Sequence, residues 1–214
     1  MKEYHKIDNV FKRDPANMKR LLEGEYSQDV FAYLAQNEWM FTEKVDGTNI
    51  RILVGPNGGD ITFGGKTDDA SIPAKLVERL QERFLPQRER LHGMFPDGAC
   101  LYGEGYGARI QKGGGNYRPD QDIVLFDVLV ERWWLQRPDV EDVAGKLGLD
   151  VVPVVGRGTL ADAVAMAREG FRSAWGPFLA EGIVARPAVE LQTRAGRRII
   201  TKVKHRDFAR EAAP

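Results

Sequence analysis

Cysteine is almost missing: Cys100 stands alone among 214 residues. A single thiol excludes an internal disulfide and suits a reducing compartment, so the sequence reads as that of an intracellular, cytoplasmic protein. Within ACLY the thiol reads as a small buried hydrophobe rather than a nucleophile. Histidine is scarce too: His5, His92 and His205 are scattered, and no Cys/His set has zinc spacing. A nucleophile-elbow serine, G-x-S-x-G, is also lacking. Net charge is nil, 31 Lys and Arg against 31 Asp and Glu, so the total does not advertise a nucleic-acid partner. No apolar run reaches about 18 residues, which excludes a transmembrane helix. The opening MKEYHKIDNV has no apolar stretch like that of a signal peptide.

What is present is a chain with an ordinary globular composition, 43% hydrophobic and 29% charged. Its length suits a single domain spanning 1–214. Asp14-Pro15 predicts a helix start, running through MKRLL towards Gly24. Glu38 to Val45 and Thr48 to Val54 alternate, and the Asp46-Gly47 pair between them predicts a β-hairpin. Pro73 opens an amphipathic helix with Leu76, Val77, Leu80 and Phe84 on one face. ACLYGEGY reads as a strand, and the apolar DIVLFDVLV as a central one. Asp139–Leu147 and Thr159–Glu169 read as helices around VVPVV, followed by the strands GIVAR and RRIITKVK. Frequent strands without a regular βαβ rhythm predict an α+β fold with mainly antiparallel sheets.

Two phosphate-loop lookalikes fail on context. DITFGGKT has Asp60 where a P-loop needs its first glycine, and no helix follows at once. GEGYGA follows a strand, but RIQKGGGNYRP cannot be the helix that receives a pyrophosphate. The glycine-rich Gly107–Pro119 stretch carries Arg109, Lys112, Tyr117 and Arg118. It reads equally as a loop that closes over substrate, with Tyr117 stacking on a base, or as a mobile connector.

Four islands carry more chemistry. In FTEKVDGTNIRI, Lys44 ends an apolar run just before a forced turn. Partial burial and neighbouring cations free a lysine amine for nucleophilic attack; an exposed lysine on a hairpin is the plain alternative. Glu104 sits between two glycines at a strand end, and Glu181 just precedes a short apolar strand. Lys202 and Lys204 alternate onto one sheet face, where they repel each other unless an anion such as phosphate lies between them. The basic run from Arg194 to Arg210 has Asp207 as its only acid. That suits a polyphosphate or nucleic-acid backbone, or a solvated face. A nucleophilic lysine, two carboxylates for a divalent metal and a lysine pair form a set for attack on a nucleotide α-phosphate.

KVDGTN, YGEG, VLFDVLV, EGIVAR and KVKHRDF, in that order, resemble motifs I, III, IIIa, IV and V of the covalent nucleotidyltransferases, the superfamily of DNA ligases, RNA ligases and capping enzymes. Asn49, where DNA ligases and capping enzymes usually carry arginine, and the form of KVKHRDF make the match to the RNA ligase branch. The resemblance implies two mainly antiparallel sheets around a nucleotide cleft with flanking helices. It implies an ATP-dependent enzyme, with ATP as the AMP donor and Mg²⁺ or Mn²⁺ as cofactor, that seals 5′-phosphate to 3′-hydroxyl RNA ends. By the same resemblance Lys44 takes AMP as a phosphoramidate, Glu43, Asp46, Gly47 and Asn49 shape the nucleotide pocket, and Lys66 holds ribose or the incoming 5′-phosphate. Glu104 contacts ribose or metal-bound water, Phe126 stacks on adenine, Glu181 binds the metal, and Lys202 and Lys204 grip phosphates. Relatives carry a further OB-fold or helical domain, which does not fit here, so a partner protein is a candidate to supply that surface. The alternatives are a DNA ligase, a guanylyltransferase, and a non-catalytic nucleic-acid-binding relic of the same fold.

Overall fold

A computed structural model describes residues 3–208. The chain forms two compact units, each a set of sequence-distant segments: residues 3–5 with 46–152, and 6–45 with 153–208. In chain order, the second unit contributes β1 (Asp8–Asn9), β2 (Phe11–Asp14), β3 (Asn17–Tyr26), α1 (Asp29–Tyr33) and β4 (Trp39–Glu43). The first unit then supplies β5 (Thr48–Val54), β6 (Ile61–Gly64), α2 (Ala74–Phe84), α3 (Arg88–Met94) and β7 (Ala99–Gly107). It continues with β8 (Gln121–Val130), β9 (Trp133–Trp134), α4 (Arg137–Leu147) and β10 (Asp150–Val151). The chain closes the second unit with β11 (Val154–Gly158), α5 (Leu160–Glu169), β12 (Gly182–Pro187) and β13 (Thr201–Lys204).

The unit built on residues 46–152 has a six-stranded sheet in the order β10-β8-β7-β5-β6, with β9 on β8. Only β10 on β8 is parallel. One sheet face packs on α2, α3 and α4 through Ile50, Ile52, Leu76, Leu80, Leu101 and Val140, among others. The α2 pattern explains its helix: Leu76, Leu80 and Phe84 fall four apart on one stripe and are fully buried. Along β8 the core side chains are Ile123 and Leu125, then Val128, so the period-2 alternation slips at Phe126. The slip is a bulge: Gly103 pairs with Leu125 and Tyr102 with Asp127, leaving Phe126 as the extra residue.

The other unit has a five-stranded sheet, β1-β13-β12-β4-β11, and the hairpin β2-β3. Leu160, Ala163, Val164 and Ala167 of α5 pack with Trp39, Phe41, Ile183 and Val203. Thr159 caps α5, exchanging hydrogen bonds with Asp162 in a capping box. The α+β class and the mainly antiparallel sheets are as the sequence predicts.

Two local expectations are corrected. Residues 14–24 are not helical, because Asp14 and Asn17 pair across a β-turn. The Asp14 side chain that was to cap a helix instead accepts from the Ala16 N–H at 2.8 Å. The same aspartate chemistry serves both turns and caps. Likewise β4 and β5 are not a hairpin: β4 lies between β12 and β11, and β5 between β7 and β6. Lys44–Gly47 carries the chain from one sheet to the other.

Candidate active site

In the unit holding β4, the backbone brings four predicted residues to one end of three neighbouring strands. Ile183 pairs with Glu43 across β12 and β4, and Gly182 pairs with Lys204 across β12 and β13. Lys44 follows β4 and donates its backbone N–H to the Gly182 carbonyl at 2.9 Å. Glu181 precedes β12, and its carbonyl accepts from the His205 N–H at 3.0 Å. Gly182 is required for this closeness, since a Cβ there would lie 2.2 Å from the Val203 carbonyl oxygen.

The side chains then converge. Lys44 Nζ donates to Glu181 Oε2 at 2.6 Å, and Lys204 Nζ lies 2.6 Å from Glu181 Oε1. Both oxygens of one carboxylate are thus held by two lysines, and all three side chains are at least four-fifths or nearly four-fifths buried, 21% or less exposed. Burial alone raises the Glu181 pKa, but the Lys44 and Lys204 ammonium groups outweigh it and hold the carboxyl below its ordinary value. Lys204 therefore has an anion in the Glu181 carboxylate, which bridges it to Lys44. Lys202 sits half-buried two residues earlier on β13, opposite Val184.

Glu43 has a different environment. It is buried, and its Oε2 accepts from the Ala174 N–H at 2.8 Å. Burial pushes its pKa up, with the Ser173 hydroxyl and the Ala174 N–H pulling the other way. The basic run after Arg194 is not a uniform cationic face either. Arg198 is buried and bidentate on Glu190 at 2.6 and 2.8 Å, Arg13 pairs with Asp207 at 3.0 Å, and Arg210 lies outside the described residues.

In the other unit, Asn49 pairs with Glu104 across β5 and β7. Gly47 packs so tightly on that strand that a Cβ would come 2.2 Å from the Gly105 carbonyl oxygen and 2.8 Å from Glu104 Cγ. Asp46, Gly47, Asn49 and Glu104 are therefore neighbours. Phe126 sits half-buried at the β8 bulge, edge-on to Tyr4 at 5.1 Å. Lys66 is exposed in the loop after β6, and Arg51 fixes that loop: its fully buried guanidinium donates from Nε to the Gly65 carbonyl at 2.6 Å and pairs with Asp68 at 3.0 Å.

The glycine-rich loop is folded on itself and braced. The Ala108 N–H reaches the carbonyls of Arg118 and Asp120, both at 3.1 Å. The Tyr117 hydroxyl accepts from the Asp46 N–H at 3.2 Å, and Gln111 donates to the Gly47 carbonyl at 3.0 Å. Behind the loop, the buried Asp122 carboxylate binds Arg83, Arg118 and Arg79 at 2.5, 2.6 and 3.2 Å. Sequence reasoning missed Arg51, Asp122 and the Tyr4–Asp127 hydrogen bond of 2.5 Å. Each was visible as a charge inside an otherwise apolar strand, a placement that demands a partner.

Comparison with known proteins bears on this arrangement. A family model described as RNA ligase matches residues 37–204, well over half of the chain. The chain belongs to the RNA ligase family. The matched range of this RNA ligase family member contains Lys44, Glu104, Phe126, Glu181, Lys202 and Lys204. Among solved structures, the RNA ligase of Naegleria gruberi with PPi aligns over 99% of this chain and 58% of its own at a TM-score of 0.69 and 16% identity. The E227A mutant of that ligase with ATP and Mn aligns over 82% of this chain and 52% of its own, with a TM-score of 0.64 and 17% identity. These likenesses show that the chain shares the fold of those RNA ligases, of which it spans little more than half the length. No curated protein matches it.

Proposed function

We propose that this protein is an ATP-dependent RNA ligase that works through a lysyl-AMP intermediate on Lys44. The observation that carries the reading is the Glu181 carboxylate shared by Lys44 and Lys204 at 2.6 Å each, within the family-matched range.

The chemistry follows from those contacts. Lys44 Nζ, once deprotonated, attacks the α-phosphorus of ATP; a P–N bond forms, the P–O bond to pyrophosphate breaks, and AMP stays on the lysine. Glu181 fixes the direction of the amine. Its lowered pKa makes it a steady anionic anchor and a poor final acceptor for the lysine proton. Lys204 and Lys202 offset phosphate charge as pyrophosphate leaves. Glu104 and Asn49, paired across their strands, and Phe126 at its bulge are assigned to ribose and adenine, with a flat ring giving a platform for the base.

A divalent cation fits the donors present. Among the described residues no three Asp, Glu, His or Cys side chains group as a cage. Mg²⁺ and Mn²⁺ sites of nucleotide enzymes commonly rest on one or two carboxylates, the remaining ligands being phosphate oxygens and water. Glu181 would hold it, and the ion would supply charge neutralisation at the phosphates. The Naegleria gruberi ligase structures with ATP and Mn support this choice.

In the later steps a 5′-phosphate of RNA takes AMP from Lys44, forming a pyrophosphate link as the P–N bond breaks. A 3′-hydroxyl then attacks that 5′-phosphorus, a phosphodiester forms, and AMP departs. The test is intact mass after incubation with Mg²⁺ and ATP or GTP. The expected result is one added AMP, removed by pyrophosphate and absent in Lys44→Ala. An added GMP would move the reading to guanylyl transfer, and a bare protein after pyrophosphate treatment would sink it.

A further inference from the structure

Away from the residues assigned to chemistry, the unit of residues 46–152 has a cavity of about 590 Å³ between α2 and the glycine-rich loop. Lys75, Glu78, Arg79 and Glu82 line it from the helix, and Arg109 and Asp120 from the loop. Its volume falls in the range of small-molecule sites.

The lining charges divide into two groups. Arg79 is engaged by Asp122 and Glu82, at 3.2 and 3.4 Å, and Asp120 is held by Arg118 at 2.5 and 2.9 Å. Arg83 shares Asp122 as well, so Arg79, Arg83 and Arg118 offset Glu82, Asp120 and Asp122. Lys75, Glu78 and Arg109 make no side-chain hydrogen bond or ion pair among the described residues, so two cations and one carboxylate remain for a ligand. Arg109 also holds a left-handed backbone, φ 69°, which glycine would adopt at less steric cost. A long cationic side chain thus sits where the backbone favours glycine.

The residual charge of plus one matches one phosphodiester, and the leftover carboxylate matches a hydroxyl donor beside it. A ribonucleotide unit carries both, through its phosphate and its 2′-hydroxyl. We propose that this cavity seats one ribonucleotide of an RNA strand, with Lys75 and Arg109 on the phosphate and Glu78 accepting from the 2′-hydroxyl. The kind of strand rests on the RNA ligase reading, whereas the charge argument stands by itself. The loop that walls the cavity also bonds to Asp46 and Gly47, so a seated nucleotide would bear on the turn that follows Lys44.

The test is binding of a labelled 12-nucleotide RNA, and its DNA counterpart, to the full chain without ATP across a salt series. Lys75→Glu and Arg109→Glu are each expected to weaken RNA about tenfold and to lower the salt slope by about one. Lys146→Glu, an exposed charge reversal on α4, is expected to change little. Glu78→Ala is expected to weaken RNA more than DNA. Unchanged affinity in both cation variants, or an equal loss in Lys146→Glu, overturns the site. Equal effects of Glu78→Ala on RNA and DNA overturn the 2′-hydroxyl contact. Because no nucleotide is added, failure of the unaltered protein to take AMP would sink the ligase reading and leave this result standing.

Discussion

At the scale of single residues the decisive object is a carboxylate between two ammonium groups. Without Glu181, Lys44 and Lys204 lose the anion that holds both tips at 2.6 Å, and the proposed nucleophile loses its direction. Glu181→Gln keeps the shape and removes the charge. It is expected to slow lysyl-AMP formation by about 10²-fold, the scale of a lost positioned acid–base or ionic group. Single-turnover intact-mass kinetics at saturating ATP measures this, and an unchanged rate would remove Glu181 from the mechanism. The position of Lys44 and Glu181 at strand ends was legible in the sequence, since each sits at the edge of an apolar strand. Their direct contact was not legible. The sequence argument expected cations around Lys44, whereas the nearest charge is a carboxylate delivered from 137 positions away. Such pairing depends on strand order, which periodicity does not encode.

Among the elements, strands were easier to read than their neighbours. The alternation of β5 follows from side chains that face opposite sides, and α2 follows from its four-residue stripe. The turn signals misled because Asp, Gly and Pro report a change of direction and not what comes next. Asp14-Pro15 opened a hairpin, and Asp46-Gly47 led into another sheet. The β8 bulge was hidden as well, since an all-apolar run shows no phase to slip. Asp122 shows how β8 is tied to α2 and the glycine-rich loop: Arg79 and Arg83 from the helix and Arg118 from the loop meet on one carboxylate. Asp122→Asn leaves three arginines without their counter-charge. It is expected to cost about 3 kcal/mol, because removing one partner strands the others. A lower urea midpoint at constant slope would record it. A loss below about 0.5 kcal/mol would show that the cluster is ordinary surface pairing.

For the whole molecule, acid is the condition to which these sites respond together. Burial raises the Glu181 and Asp122 pKa values, but Lys44 and Lys204 at one, and Arg83, the Ile123 N–H and Arg79 at the other, hold both below their ordinary 4.5 and 3.8. Groups depressed by folding contribute stability above those values and lose it as pH falls through the lower folded ones. Stability is therefore expected to hold near neutral pH and drop below about pH 4.5, with Glu43, shifted upward, opposing the loss in part. Denaturant midpoints from pH 7 to 3 would show the drop, and a Glu181→Gln variant would show a shallower one. The threading of the chain has a consequence for the order in which the protein is made. Residues 46–152 form their sheet from one uninterrupted stretch, but β4, which leads into Lys44, lies between β11 and β12, both synthesised later. A nascent chain that has just released residue 152 holds a complete set of strands for one sheet and a lysine whose flanking strands do not yet exist. Glu181 and Lys204 lie further along the chain still. If Lys44 takes up AMP as proposed, that uptake waits for β12 and β13, and a chain stopped before Glu181 would fold its first sheet yet take up no AMP.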